Sequence, residues 1–300
     1  MQSQLRGNLL LLLTAFIWGT TFVAQMAGMD GLGPFTYAAA RFVLGTIFLF
    51  GLWRYTRLRE HKETDKQKKY ADLKIGIGAG LLLFIASSMQ QVAMLYTTAG
   101  KTAFITALYI VLVPLFAAFL RIGGRVQPAN WLGAALALAG LYLLSIQGEI
   151  TLNFGDLLVF ISAFFWTAQI LFISRFAMQV DAVELSFTQT CVCCVGSVLA
   201  AFLVEVPAWQ PVLNAWFAIF YAGVLSTGVA YTLQIVGQKY AAPSDAALIM
   251  SFEAVFGAVS GALLLGETMS LAQVSGCALM FAGIIVAQLP TIWGARRKNK

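Results

Sequence analysis

Charge is what this chain has least of: Asp, Glu, Lys and Arg make up 11% of its 300 residues, against about 25% in a soluble domain. With 60% of the residues apolar, a water-soluble fold is excluded. One histidine and four cysteines are too few for a disulfide scaffold. Cys191, Cys193 and Cys194 share one apolar run and Cys277 lies in another, where thiols behave as small hydrophobes. That cluster lacks the second ligand group or neighbouring His of a metal site. No metal and no cofactor are expected. The chain also lacks the alternating segments of about 10 residues from which membrane β-barrels are built; "LLLLLTAFIW" and "GAALALAGLYLL" are apolar almost throughout.

The sequence instead holds apolar runs of about 20 residues, each sufficient to cross a hydrocarbon core of about 30 Å. Ten spans are expected, at 8–28, 34–53, 73–94, 101–120, 129–147, 155–174, 183–204, 214–236, 244–265 and 271–290. The first is too long for the core of a signal peptide, and nine similar runs follow it. The predicted fold class is an all-α polytopic membrane protein. With the N-terminus on the inner side, 17 of the 19 basic residues fall in inner segments. The positive-inside rule then places both termini in the cytoplasm and the chain in the cell inner (plasma) membrane. The run from Arg54 to Lys74, which includes His61, is read as a solvated loop or one resting on anionic lipid.

The halves resemble each other. "AFIW" ending at Trp18 recurs as "AFFW" ending at Trp166, and "YTTAGKTAFI" from Tyr96 recurs as "YAAPSDAALI" from Tyr240. "LGAALALAGL" from Leu132 recurs as "SGCALMFAGI" from Ser275. The expected organisation is one five-helix repeat over 1–150 and a second over 151–300, with a basic tail. A unit with an odd number of spans ends on the side opposite its start, so the second copy enters the membrane inverted. Inverted repeats are the geometry of alternating access.

"AFIWGTTFV" in the first span, "FTYAAARFVLG" in the second, "YTTAGKTAFITALYIVLVPLFAAFL" leading into the fourth and "SFEAVFGAVSGALLLGETMSLAQVSGCALMFAGIIVA" at the end resemble the EamA family of the drug/metabolite transporter superfamily. The likeness covers roughly residues 7–290. It implies a secondary carrier that moves small metabolites, commonly amino acids or related solutes, outward. Members often carry Pro directly after the Glu of the ninth span; here that position is Ala254, whereas Pro114 stands in the fourth. A backbone break is therefore expected in one half only.

Glu253 is the acid that the ninth span should not tolerate, because a carboxylate at the bilayer centre costs about 2.5 to 3.5 kcal/mol even on insertion scales. It shares a helix face with Gly257 and Gly261, which favours close helix contact, so it is expected to point inward. Arg41, the other ionic group within a span, lies at a similar depth. The two are candidates for a structural ion pair, and Glu253 also for proton coupling or for binding a solute ammonium. Trp18 and Trp166 sit at matching depths and are candidates to wall a cavity. Tyr109 is the counterpart of Glu253 at an offset of 144 residues, so an inverted repeat brings both near the central axis and makes Tyr109 a cavity candidate. Gln90, Gln91, Gln169, Gln189 and Gln234 are amides in apolar spans; interhelical hydrogen bonds explain them, and Gln90 and Gln234 are also cavity candidates. Lys101 is expected to snorkel to headgroups. "GIGAG" at 76–80 follows no strand and is read as packing, not as a nucleotide loop.

The chemistry-bearing residues of an intramembrane enzyme are missing from the spans. A channel or a non-transporting scaffold stays open as an alternative, and so does a multidrug or nucleotide-sugar carrier of the same superfamily. The partners expected are a small-molecule substrate and the lipid bilayer, with no nucleic acid.

Overall fold

The computed structural model describes residues 2–29, 31–60, 66–97, 99–145, 153–265 and 269–298. His61, Lys62 and Lys300 lie outside the described residues, as do the side chains of Lys66, Lys68, Lys69, Trp293, Arg296, Arg297 and Lys298. The helices are α1 (Gln2–Gly28), α2 (Pro34–Glu60), α3 (Lys66–Ala93), α4 (Ala99–Thr106), α5 (Tyr109–Leu120), α6 (Pro128–Ser145), α7 (Phe154–Phe176) and α8 (Ala182–Val204). Two short helices follow, α9 (Trp209–Asn214) and α10 (Trp216–Phe220), then a π-helical segment (Tyr221–Ala230), α11 (Tyr231–Gln238), α12 (Pro243–Met250), α13 (Glu253–Leu265) and α14 (Leu271–Lys298). Among the described residues there is no strand, and nine stretches are long and apolar enough to cross a bilayer, with Pro128–Leu144 as a shorter apolar helix. The fold is an all-α polytopic membrane protein.

Local chemistry fixes several helix ends. Asn153 and Asp156 form a reciprocal capping box at the start of α7, and the Asp181 carboxylate accepts the first backbone N–H groups of α8. The start of α2 is capped from a distance: Glu205, just past α8, accepts from the N–H groups of Phe35 and Thr36, both at 2.8 Å. An anion at a helix N-terminus satisfies orphan donors and complements the dipole. At its other end α2 runs past the predicted span limit, so that Arg57 is helical and donates to both oxygens of Glu184 at 3.1 Å. The antiparallel α2 and α8 are thus tied at both ends. Past α5 the chain turns through Arg121 in the left-handed region (φ 56°), with Gly123 and Gly124 also at positive φ, a path glycine takes without strain.

Small residues set the closest crossings. Gly133 and Gly140 of α6 face Gly283 and Gly276 of the antiparallel α14 so closely that a Cβ on Gly133 would stand 2.6 Å from the Gly283 carbonyl oxygen. Gly76 and Gly80, within the "GIGAG" run, lie against Thr188 and against Gln189 and Val192 of α8, so the run is a helix-packing surface. Replacing Gly133 by Val should force α6 from α14 and destabilise the fold by about 1–3 kcal/mol, read as a lower melting temperature in detergent. An unchanged melting point would mean that the two helices are not held at this crossing.

The pairings recur between halves. α6 packs on α14, and α2 on α8. α3 packs on α7 and α8, as the π-helical segment packs on α1 and α2; α5 packs on α7, as α13 packs on α1. The principal neighbours of α1 all come from residues 216–265. Asn8 near one terminus donates to Gln288 near the other at 3.1 Å, so the first and last helices meet at one end of the bundle.

Candidate functional site

Two membrane spans are broken at mid-depth. The fourth is interrupted at Ala107 and Leu108, between α4 and α5, and the ninth at Ser251 and Phe252, between α12 and α13. The breaks match residue for residue at the 144-residue offset. Leu108 and Ile110 bond three residues back, to Ile105 and Ala107; Phe252 and Ala254 do the same, to Ile249 and Ser251. The expectation of a break in one half only is corrected by this pairing. Proline is not its cause, since Pro114 lies inside α5 beyond the break and α13 has none. Three-residue bonds tighten the turn in both halves, and α13 then leans on α1, where Gly19 lets the Glu253 carbonyl and Gly257 approach.

Each break starts a helix with a polar residue: Tyr109 opens α5 and Glu253 opens α13. The Tyr109 hydroxyl donates to Glu253 Oε1 at 3.1 Å, and both residues are buried, Glu253 at 6% exposure. This bond joins the two halves across the centre of the molecule.

Around it lies a cavity that is partly open to the outside. Trp18, Arg41, Gln90, Tyr109, Trp166, Gln234 and Glu253 all line it. Its liners on α1, α2 and α3, among them Gln25 and Gln90, fall in the halves of those helices remote from the chain termini. On the side of the termini, Leu11, Val113, Ala117, Leu171, Ala246 and Ala247 close ranks in a buried apolar cluster.

Arg41 and Glu253 share this cavity, yet no ion pair within 4 Å joins them among the described residues. Glu253 takes Tyr109 instead. Arg41 is 5% exposed, its guanidinium carbon lies 4.8 Å from the Phe42 ring centre, and its Nε has no hydrogen-bond partner among the described residues. Trp18 is anchored, its Nε1 donating to the Ser226 carbonyl at 3.4 Å and its ring meeting Tyr231 edge to face at 5.2 Å. Trp166 occupies the matching position, but its Nε1 has no partner among the described residues. Gln90 donates to Thr106 Oγ1 at 2.8 Å, beside the first break, and Gln234 donates to Gln169 at 3.2 Å. Gln189 is buried with both amide atoms unpartnered among the described residues, so the expected hydrogen bond between helices is not found there.

Sequence reasoning did not find Gln25, Thr106, Ser226 and Tyr231, which also line the cavity. Ser226 lies in the π-helical segment and serves through its carbonyl, which no side-chain pattern announces. Thr106 stands three residues before Tyr109 on the interrupted span, a signal that was readable. Lys101 departs from the snorkelling expectation: its Nζ lies 3.6 Å from Asp156 Oδ2, because the α7 capping box holds that carboxylate beside the start of α4.

A sequence profile of the EamA-like transporter family matches residues 5–146 and again residues 153–288. An uncharacterized transporter of Archaeoglobus fulgidus is 29% identical over 293 residues, covering 95% of this chain and 87% of the relative. The uncharacterized transporter YoaV of Bacillus subtilis is 24% identical, covering 94% of this chain and 95% of the relative. The uncharacterized inner membrane transporter YedA of Escherichia coli K12 is 25% identical over 85% of this chain and 81% of its own length. A solved crystal structure superposes with a TM-score of 0.78 at 23% identity, covering 97% of this chain and 98% of the other; that likeness concerns the fold.

Proposed function

The chain belongs to the EamA-like transporter family, and from that membership we propose that it is a secondary carrier exporting small metabolites, such as amino acids or related solutes, by alternating access. It is a multi-pass membrane protein of a transporter family, not of an enzyme family. The finer reading takes residues 1–150 and 151–300 as two inverted five-helix repeats that rock about the central cavity. The observation that carries it is the hydrogen bond from Tyr109 to Glu253, which links repeat-equivalent residues at paired helix breaks beside a cavity walled by both halves. Broken spans at mid-membrane are where transporters of this kind place their binding sites.

In this reading Glu253 binds a coupling proton or a solute ammonium, and the aromatic walls hold an apolar body. In the same reading the excess of basic residues in the inner segments favours both termini in the cytoplasm and the chain in the cell inner membrane. A nucleotide-sugar cargo is disfavoured, because Arg41 is the one Lys or Arg among the residues lining the cavity and a diphosphate calls for several such groups.

The test is flux in proteoliposomes carrying the purified chain, screened over amino acids and related metabolites with and without an imposed proton gradient. Saturable flux that accelerates exchange from the opposite side is the expected result. Non-saturable flux would indicate a channel, and none across the screen would favour a scaffold.

A further inference from the structure

We propose that Arg41 and Trp166 form the receptor for an anionic carboxylate group, so that the transported solute is a small monocarboxylate with an apolar body and organic cations are rejected. This rests on the cavity being the solute site proposed above.

Arg41 and Trp166 come from different halves of the chain and line the same cavity. Arg41 makes no hydrogen bond or ion pair among the described residues, and its buried Nε and the buried Nε1 of Trp166 are both unpartnered. Guanidinium and indole N–H groups are donors only. Buried polar groups in native proteins nearly always find partners, and neither of these can satisfy itself by turning to accept. What they require is an acceptor inside the cavity. A permanently charged guanidinium in a low-dielectric interior further selects an anionic one, and its planar fork matches the two oxygens of a carboxylate.

The contrast with Trp18 sharpens the assignment. The repeat counterpart of Trp166 spends its Nε1 on the Ser226 carbonyl and serves as wall; Trp166 keeps its donor. The size limit comes from the same lining, since Trp18, Phe22, Tyr231 and Ile170 surround the space and suit an apolar body. Glu253, already accepting from Tyr109, would by itself favour cations. Arg41 in the same cavity opposes them, because like charges repel at such short range.

The test is calorimetric titration of the purified full chain in detergent, in chloride-free methanesulfonate buffer, with three probes that share one body: 3-phenylpropanoate, 3-phenylpropanamide and 3-phenylpropylammonium. The acid should bind at least about tenfold more tightly than the amide or the ammonium, as expected for a charge-assisted hydrogen bond. Arg41→Gln should bring the acid down to the level of the amide while leaving amide binding unchanged, and Trp166→Phe should weaken the acid alone. Equal binding of acid and amide, no binding of the acid, tighter binding of the ammonium, or an acid preference that survives Arg41→Gln would each overturn the proposal. An Arg41-dependent heat from sodium chloride alone would overturn it in favour of a halide site. Should Arg41→Gln fail to fold, the three probes on the wild-type chain still decide. Binding with acid selectivity but without flux in proteoliposomes would remove the carrier reading and leave this receptor standing; flux without acid selectivity would do the reverse.

Discussion

Glu253→Gln is expected to lower flux by roughly ten- to a hundredfold, the equivalent of the about 1.5–3 kcal/mol that a hydrogen bond to a charged group contributes, while the protein still folds. Gln keeps the volume and an acceptor oxygen for the Tyr109 hydroxyl, so the link between α5 and α13 survives. What it removes is the ionisable carboxyl, and with it any proton carried per cycle. Initial rates in proteoliposomes, with and without a pH gradient, separate the contributions: the variant should lose the response to the gradient as well as the rate. Tyr109→Phe should have a smaller effect, since Glu253 keeps its charge and loses one donor. Full flux in Glu253→Gln at normal expression would leave the acid a structural role only.

The second large effect is steric. A Cβ on Gly19 would stand 2.5 Å from the carbonyl oxygen of Glu253, 2.6 Å from the Phe256 Cβ and 2.8 Å from the Gly257 nitrogen. Two of those atoms are backbone and cannot rotate aside. Gly19→Val should push α13 from α1 at the height of the break, at a cost near the upper end of the about 1–3 kcal/mol typical of overpacking. Yield, melting temperature in detergent and flux should all fall together. A variant with wild-type melting behaviour and flux would show that α1 and α13 separate freely there, and that the second break is not positioned by this contact.

How far the sequence alone could see depends on what kind of force set each feature. The spans were readable because a lipid core tolerates only long apolar helices, and polar residues within them stand out against that background. For this reason Arg41, Gln90, Gln234 and Glu253 could be singled out, while the internal repeat pointed to Trp18, Trp166 and Tyr109, and the structure places all seven around one cavity; what each does there is proposed above. Depth along a helix was also readable, and the face shared with Gly257 and Gly261 turned Glu253 inward, but the neighbour met on that face was not readable. Arg41 and Glu253 were matched by depth and yet no ion pair joins them, because a one-dimensional coordinate cannot say which neighbour a side chain meets. The second break was missed for another reason: proline was taken as the marker, whereas the turn at Ser251 and Phe252 is made by backbone bonds that leave no compositional trace. The tie from Arg57 to Glu184 was hidden by treating Arg54 onward as loop, when α2 continues to Glu60.

The partners of α1 carry a consequence for biosynthesis. This helix leaves the ribosome well before its principal neighbours, the π-helical segment and α10 to α13. It must wait in the bilayer, shielded only by lipid or by the insertion machinery, until more than two hundred further residues have been made. Assembly around it therefore waits on residues 216–265, and a message truncated before them would yield α1 inserted in the membrane with nothing to hold.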